Sequence, residues 1–146
     1  MENVFIMTPE DTKVIAELEK VCFSHPWSEK ALFDETENPN AVFLVYKRDG
    51  KILGYIGSVF VCGEANITNV AVFPEARKTG VATALISSLI QRAKQDNVGE
   101  IFLEVRRSNT SAQRLYKKCG FSVIGERRGF YSAPVEDAIL MKYVIG

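Results

Sequence analysis

The chain is poor in the residues on which most site chemistries rest. Among 146 residues there is one histidine, one tryptophan and three cysteines, and the 18 basic and 18 acidic side chains cancel. With no charge excess, the sequence carries no footprint for nucleic acid or for an anionic membrane as the main partner, so any charged site has to be local. Cys22, Cys62 and Cys119 are odd in number, far apart and without a Cys-x-x-Cys pair, which argues against disulfides. Cys22-x-x-His25 has metal-ligand spacing but lacks the second pair that completes four-coordinate zinc, so no metal is expected. A histidine-based triad would have to pass through His25, which reads more simply as a loop or capping residue beside Pro26. The apolar runs are too short and interrupted to span a membrane, and Met1-Glu2-Asn3 opens no secretory signal; a cytoplasmic location is expected. No repeat, low-complexity segment or linker interrupts the chain. Its length suits one domain, 1–146, burying roughly two-thirds of the surface that the unfolded chain exposes.

What is present is an alternation of short elements. Asn3 to Met7 reads as a strand, and Thr8-Pro9-Glu10-Asp11 as a helix start, with a capping hydroxyl, proline at the first helical position and acids in the first turn. Val14, Ile15, Leu18, Val21 and Cys22 then recur at helical spacing. His25-Pro26-Trp27-Ser28 breaks that helix, and Ser28 caps another running to about Glu35. Ala41 to Lys47, Ile52 to Cys62 and Asn66 to Phe73 form three successive antiparallel strands, joined at Asp49-Gly50 and Gly63-Glu64. A helical face then begins at Gly80 and ends near Gly99. Ile101 to Val105 is a strand, Ser108-Asn109 caps a helix to about Lys118, and Phe121 to Glu126 and Ala138 to Val144 are the last two strands. This order predicts a mixed α/β (α+β) fold with one strand-helix-strand unit around the glycine loop.

That loop carries the strongest chemical signal. Val70-Ala-Val-Phe-Pro-Glu-Ala-Arg-Lys-Thr-Gly-Val-Ala-Thr-Ala-Leu85 runs from a buried strand through a basic, glycine-containing turn into a helix. Free backbone N–H groups and the positive end of a helix dipole attract phosphate there, with the charges of Arg77 and Lys78 beside them. A P-loop needs a glycine four residues before Gly-Lys-Ser/Thr, and a dinucleotide fingerprint needs three glycines; neither is met. What remains is Arg77-x-x-Gly80-x-Ala82, which on its own fits an ordinary strand-to-helix loop with solvated charges equally well.

Three further constellations bear on the choice. Glu104 interrupts an apolar strand in Phe102-Leu-Glu-Val-Arg-Arg-Ser-Asn109, where a carboxylate ordinarily faces solvent. Tyr116 sits late in a helix that stops at Gly120, the setting of a packed aromatic. Trp27 lies in a turn between two helices, where it would plug the gap. In this order, and with Asn-Val-Ala-Val before the loop, Arg128-x-x-Tyr131 and Glu136-Asp-Ala-x-x-Met141 after it, the segments closely resemble the GNAT (GCN5-related N-acetyltransferase) superfamily, in its RimI-type ribosomal-protein-alanine branch. The resemblance covers nearly the whole chain.

The resemblance implies a GNAT fold: a mixed, mostly antiparallel central sheet flanked by about four helices. It implies acetyl-CoA as cosubstrate. Main-chain groups of Val70, Ala71 and Val72 would take the pantetheine and thioester, the loop Arg77, Lys78, Thr79, Gly80, Val81, Ala82 and Thr83 would take the pyrophosphate, and Asn109 would also touch the cofactor. It further implies Glu104 as general base, Tyr116 as the acid toward the departing thiolate, and Trp27 and Tyr131 as substrate-facing. The partner implied is a protein N-terminal peptide, first of all the alanine of the eighteenth small-subunit ribosomal protein. The chemistry agrees: an α-amine titrates near 8 against about 10.4 for lysine, so a modest base acting directly or through water frees the nucleophile near neutrality. A phenol near 10 facing a thiol near 8.5 is an uphill proton donor by roughly 2 kcal/mol, which demands coupling to thiol departure. Cys119 then needs no role beyond packing. Three positions depart from the family pattern: Ala82 where a second glycine is common, Phe130 where a tyrosine often precedes Tyr131, and Cys119 in place of an aliphatic residue. Two alternatives stay open. One is an acetyltransferase of this fold acting on a lysine, polyamine or antibiotic; a polycation would call for a strongly acidic pocket, and only Asp34, Glu35 and Glu37 cluster. The other is an acyl-CoA-binding module without catalysis, against which both Glu104 and Tyr116 speak.

Overall fold

The structure is a computed structural model, and it describes residues 3–146; Met1 and Glu2, at the segment tested for a secretory signal, lie outside the described residues. In chain order it contains β1 (Val4–Ile6), a 3-10 turn (Pro9–Asp11), α1 (Thr12–Cys22), α2 (Glu29–Thr36), β2 (Ala41–Arg48), β3 (Lys51–Val61), β4 (Glu64–Val72), a second 3-10 turn (Pro74–Ala76), α3 (Val81–Gln95), β5 (Glu100–Arg106), α4 (Thr110–Lys118), β6 (Ser122–Ser132) and β7 (Val135–Val144). All seven strands join one sheet in the order β1-β2-β3-β4-β5-β7-β6. Every pairing is antiparallel except β4 with β5. The mixed, mostly antiparallel sheet with four α-helices is the architecture the family resemblance implies.

The sheet separates two cores. On one face Val42, Leu44, Ile101, Leu103 and Val105 pack against Leu85, Leu89 and Ala93 of α3 and Tyr116 of α4. On the other, Phe43, Val45, Tyr55 and Ala71 meet Ile15 and Leu18 of α1 and Leu32 of α2. Period-two alternation along each strand feeds both cores at once, which is why β2 and β3 read as nearly continuous apolar runs. Local signals set the helix ends. Asp11 accepts the Thr8 N–H at 2.8 Å, closing the capping box that Thr8 opens, and Ser28 Oγ accepts the Ala31 N–H at 3.1 Å to start α2. Gly54 on β3 lets α3 approach closely: a Cβ there would meet Ala71 O at 2.8 Å and Val81 Cγ1 at 3.0 Å. The first residue of α3 is thereby seated directly against the end of β4.

Two expectations are corrected. Val21 is 57% exposed, and the buried stripe of α1 passes instead through Ile15, Ala16, Leu18 and Glu19; the apolar spacing misplaced the stripe because it skipped the acid. The strand beginning after Phe121 runs on to Ser132 rather than stopping at Glu126. Its ladder to β7 shifts register between Val123 and Gly125 and again between Arg127 and Tyr131, and such irregularity erases the alternation that a sequence pattern depends on.

Candidate active site

The site is built on a split in the sheet. β4 and β5 pair only over Glu64–Asn66 with Glu100–Phe102, and beyond that the strands share no register. β4 meanwhile stays with β3 as far as Gly54 opposite Val72. A register shift between Gly57 and Ser58 leaves Thr68 unopposed, a bulge that reverses which way the following side chains point. Before it Ala65 and Ile67 face α3; after it Val70 and Val72 do, while Ala71 turns to the α1 side. The backbone follows. Phe73 N–H bonds to Leu53 O at 2.9 Å, and because antiparallel pairs alternate between bonded and unbonded, the N–H and C=O of Val72 and Val70 point away from β3 into the split. The Val72 carbonyl there accepts Arg77 Nε at 3.1 Å and the Cys22 thiol at 3.7 Å.

Beyond Val72 the chain makes the second 3-10 turn, passes Lys78 at φ 63° and Gly80 at φ 89°, and enters α3. Gly80, the residue before the first helical one, has no side chain to cap with, so the N–H groups of Val81, Ala82 and Thr83 have no intrahelical partner. Thr79 Oγ1 braces the turn by donating to Ala76 O at 2.5 Å. Of the two loop cations, Arg77 folds back on Val72 O and Cys22 Sγ, while Lys78 is exposed. The result is a helix start with open donors and a cation, suited to an anion.

On β5, Ile101, Leu103 and Val105 are buried toward α3 and α4, so Glu104 is exposed on the opposite face. Tyr116, on α4, belongs to the α3 face with its ring buried. The two candidate catalytic side chains thus stand on opposite sides of β5, and Tyr131 lies within electrostatic reach of both. Burial, and then the neighbouring Glu104 carboxylate, push the Tyr131 phenol above its ordinary value. Burial, followed by the smaller influence of Tyr131 and Cys119, pushes Tyr116 far above its own. Arg106, which sequence reasoning missed, stacks 4.3 Å from the Tyr131 ring centroid and donates to Glu136 Oε1 at 3.2 Å and to Pro134 O at 2.9 Å. It pins the β6–β7 turn beside the split, and Ser24 Oγ reaches the same turn from the α1–α2 connection, donating to Ala133 O at 2.8 Å.

The remaining predicted residues have structural partners of their own. Asn109 Oδ1 caps α4 by accepting Ala112 N–H at 3.1 Å. The Trp27 ring lies 5.8 Å from Phe43, half-buried on the α1 face, and its backbone N–H donates to Glu19 Oε1 at 2.9 Å. Glu19, fully buried, was missed as well; its place four residues after Ile15 and one after Leu18 was the available signal. His25 Nε2 lies 3.5 Å from Ser132 Oγ. Among the described residues no group of three or more His, Cys, Asp or Glu side chains is placed to hold a metal, and no helix is long and apolar enough to cross a membrane.

With this geometry in place, comparison with known proteins identifies relatives. The family model described as "Acetyltransferase (GNAT) family" matches residues 12–121. A protein of Bacillus subtilis (strain 168), assigned as a [ribosomal protein bS18]-alanine N-acetyltransferase, is 38% identical over 136 residues, covering 92% of this chain and 90% of its own length. The [ribosomal protein bS18]-alanine N-acetyltransferase of Escherichia coli (strain K12) is 30% identical over 143 residues, covering 97% of this chain and 96% of its own. The crystal structure of the ribosomal-protein-S18-alanine N-acetyltransferase from Escherichia coli superposes with a TM-score of 0.90 at 29% identity, covering 98% of this chain and 93% of that one.

Proposed function

The chain belongs to the acetyltransferase (GNAT) family, and from that premise we propose that it is a single-domain, cytoplasmic enzyme that acetylates protein N-terminal α-amines, with the alanine at the start of ribosomal protein bS18 as its target. The relatives at 38% and 30% identity, which bear that activity in their names, support the target. One observation carries the chemistry: a split between β4 and β5, floored by main-chain groups of Val70 and Val72 that β3 does not use, opens between a helix-start anion cradle and two ionisable side chains on opposite faces of β5.

The residues fit the family's acetyl-CoA. The uncapped N–H groups of Val81, Ala82 and Thr83, with Lys78 beside them, hold the pyrophosphate, and the free edge of β4 accepts the pantetheine amides as an added strand. The cosubstrate supplies an activated acetyl group as a thioester. Val72 N–H, turned into the split, stabilises negative charge that develops on the thioester oxygen. Glu104, on the α1 face, accepts a proton from the incoming α-amine directly or through water. Tyr116, across the strand, stays protonated because burial raises its phenol; it donates a hydrogen bond to the departing sulfur, and because the same rise makes it a weaker acid, its proton passes only in concert with C–S cleavage. Base and acid on opposite faces suit addition of the amine to the thioester carbonyl with its proton removed on one side, followed by expulsion of the thiol with its proton supplied on the other.

Thiol release from acetyl-CoA tests this, with matched peptides starting in Ala, Ser or Met beside an N-terminally blocked peptide carrying an internal lysine. Turnover is expected with the free N-termini, highest for Ala. Acetylation confined to lysine would sink the α-amine assignment, and thiol release with a polyamine or an antibiotic alone would move the enzyme to another substrate class. No thiol release with any amine would favour a binding module.

A further inference from the structure

Glu19 belongs to none of the roles above, yet three donors converge on its two oxygens. Trp27 N–H reaches Oε1 at 2.9 Å, while the Tyr55 hydroxyl at 2.6 Å and Asn69 Nδ2 at 2.9 Å both reach Oε2. The residue is fully buried, and no lysine or arginine lies within ion-pair distance of it among the described residues. A buried acid without a counter-ion is costly unless its hydrogen bonds are made. Here each donor comes from a different wall of the site: the α1–α2 connection, β3, and β4. Glu19 therefore fixes the substrate-side loop against the strand whose main chain floors the split.

Asn69 is the member that faces the chemistry. The bulge at Thr68 turns it, with Ala71, toward α1, onto the sheet face that carries Glu104 across the split. Its Nδ2 is committed to Glu19, which leaves Oδ1 as an oriented acceptor on a half-buried side chain. We propose that Asn69 Oδ1 receives the substrate's α-ammonium opposite Glu104, and that Glu19 is the positioning residue that holds the Asn69 amide and the Trp27 loop in place for it. The inference rests on the N-terminal amine reading. An ammonium has three N–H groups: one can go to Glu104 for removal and one to Asn69, which holds the amine at the split while the lone pair freed at Glu104 turns to the thioester. A neutral acceptor suits the task, because a second carboxylate would favour the protonated amine and work against the base.

The test measures peptide and acetyl-CoA KM separately, with kcat and melting temperature, for wild type, Asn69→Ala, Asn69→Asp, Glu19→Gln and the double variant Glu19→Gln/Asn69→Asp. Asn69→Ala should raise the peptide KM about tenfold, the loss of one hydrogen bond to a charged group, and leave the acetyl-CoA KM within about twofold. Asn69→Asp sets two carboxylates against each other, and Glu19→Gln sets two amide donors against each other; both should also raise the peptide KM. The double variant restores one donor and one acceptor in reversed order, so its peptide KM should return toward wild type, a positive coupling that a merely structural role would not produce. Should Glu19→Gln fail to fold, Asn69→Ala alone decides. A peptide KM within twofold of wild type in Asn69→Ala, in an enzyme that acetylates the Ala-starting peptide, overturns this inference and leaves the function standing. Absence of turnover by the wild type with every N-terminal peptide overturns both.

Discussion

The two edges of β4 differ in what they do with the same backbone. Toward β3 the strand is paired from Glu64 to Val72, with its one irregularity at Thr68; toward β5 it is paired over three residues and then runs free. Buried main-chain groups are almost always satisfied within a protein, so a strand that leaves one edge open beside a helix start is an edge built to be paired by something else. The paired edge contributes stability and the open edge contributes chemistry, and substitutions can separate the two.

The largest effect is expected where chemistry and stability separate most cleanly. Glu104→Gln, on an exposed position of β5, should lower kcat by about 10²–10⁴ while moving the melting temperature little, since an exposed side chain contributes little to stability. A kcat within twofold of wild type would remove Glu104 from the mechanism. Neighbouring prolines on β4 probe the two edges directly. Ala71 is bonded to β3 by the alternation that begins at Phe73, so Ala71→Pro should cost about 3 kcal/mol or more and leave little folded enzyme. Val72→Pro removes an N–H that β3 does not use; thermal melts should show it folded, and kcat should fall about 10²–10³ with the loss of one oxyanion donor. Equal destabilisation by both substitutions would mean that Val72 does not face the split.

The same contrast explains which parts were legible in the amino-acid order. Elements with their own punctuation were readable: Ser28 before α2, Asp49-Gly50 between β2 and β3, Gly80 before α3 and Gly120 after α4 each announce a boundary through local backbone demands. The paired edge of β4 followed from three consecutive strands with short turns. The open edge did not, because the parting of β4 from β5 is a tertiary arrangement with no residue that marks it, and the Thr68 bulge is one extra residue in an otherwise regular strand. Only the resemblance of the ordered motifs placed Glu104 and Tyr116 around a common point. Glu19 escaped because an acid on a helix ordinarily faces water, and its three donors come from residues 8 to 50 positions away. Arg106 escaped for a similar reason, since its partners arrive from the β6–β7 turn, where irregular pairing hid the true length of the strand.

Tyr116→Phe is expected to act more weakly than Glu104→Gln, lowering kcat about 10–100-fold by removing one hydrogen bond to a developing charge. Its pH behaviour sharpens the point. A phenol whose folded value is raised keeps its proton as the pH climbs past 10, the ordinary tyrosine value, where the unfolded chain begins to ionise. Tyr116 therefore favours the fold at all lower pH, an advantage lost progressively above 10. The kcat profile of the wild type should accordingly show no basic limb from this tyrosine up to about pH 10. A basic limb in that range that vanishes in Tyr116→Phe would show that the phenol ionises with an ordinary value.

The smallest effect concerns the other lip of the split, where β5 is anchored rather than free. Arg106 and Ser108 N–H hold Glu136 at the base of the β6–β7 turn, the latter at 2.6 Å, and hydrogen bonding from Ser108 in particular holds the Glu136 carboxyl below the ordinary value of 4.5. A carboxyl depressed in the folded state stabilises it above the unfolded value and loses that contribution as the pH falls through the folded one. The melting temperature of wild type should therefore exceed that of Glu136→Gln at pH 7, and the gap should close below about pH 4.5. With Arg106 released from its acidic partner, its stacking on Tyr131 loosens, and the peptide KM should rise about two- to threefold at neutral pH, in keeping with the modest worth of a partly exposed ion pair. A gap in melting temperature that stays constant from pH 7 to pH 3 would show that Glu136 acts through packing, leaving Arg106 to hold this lip through its bonds to the turn's carbonyl groups alone.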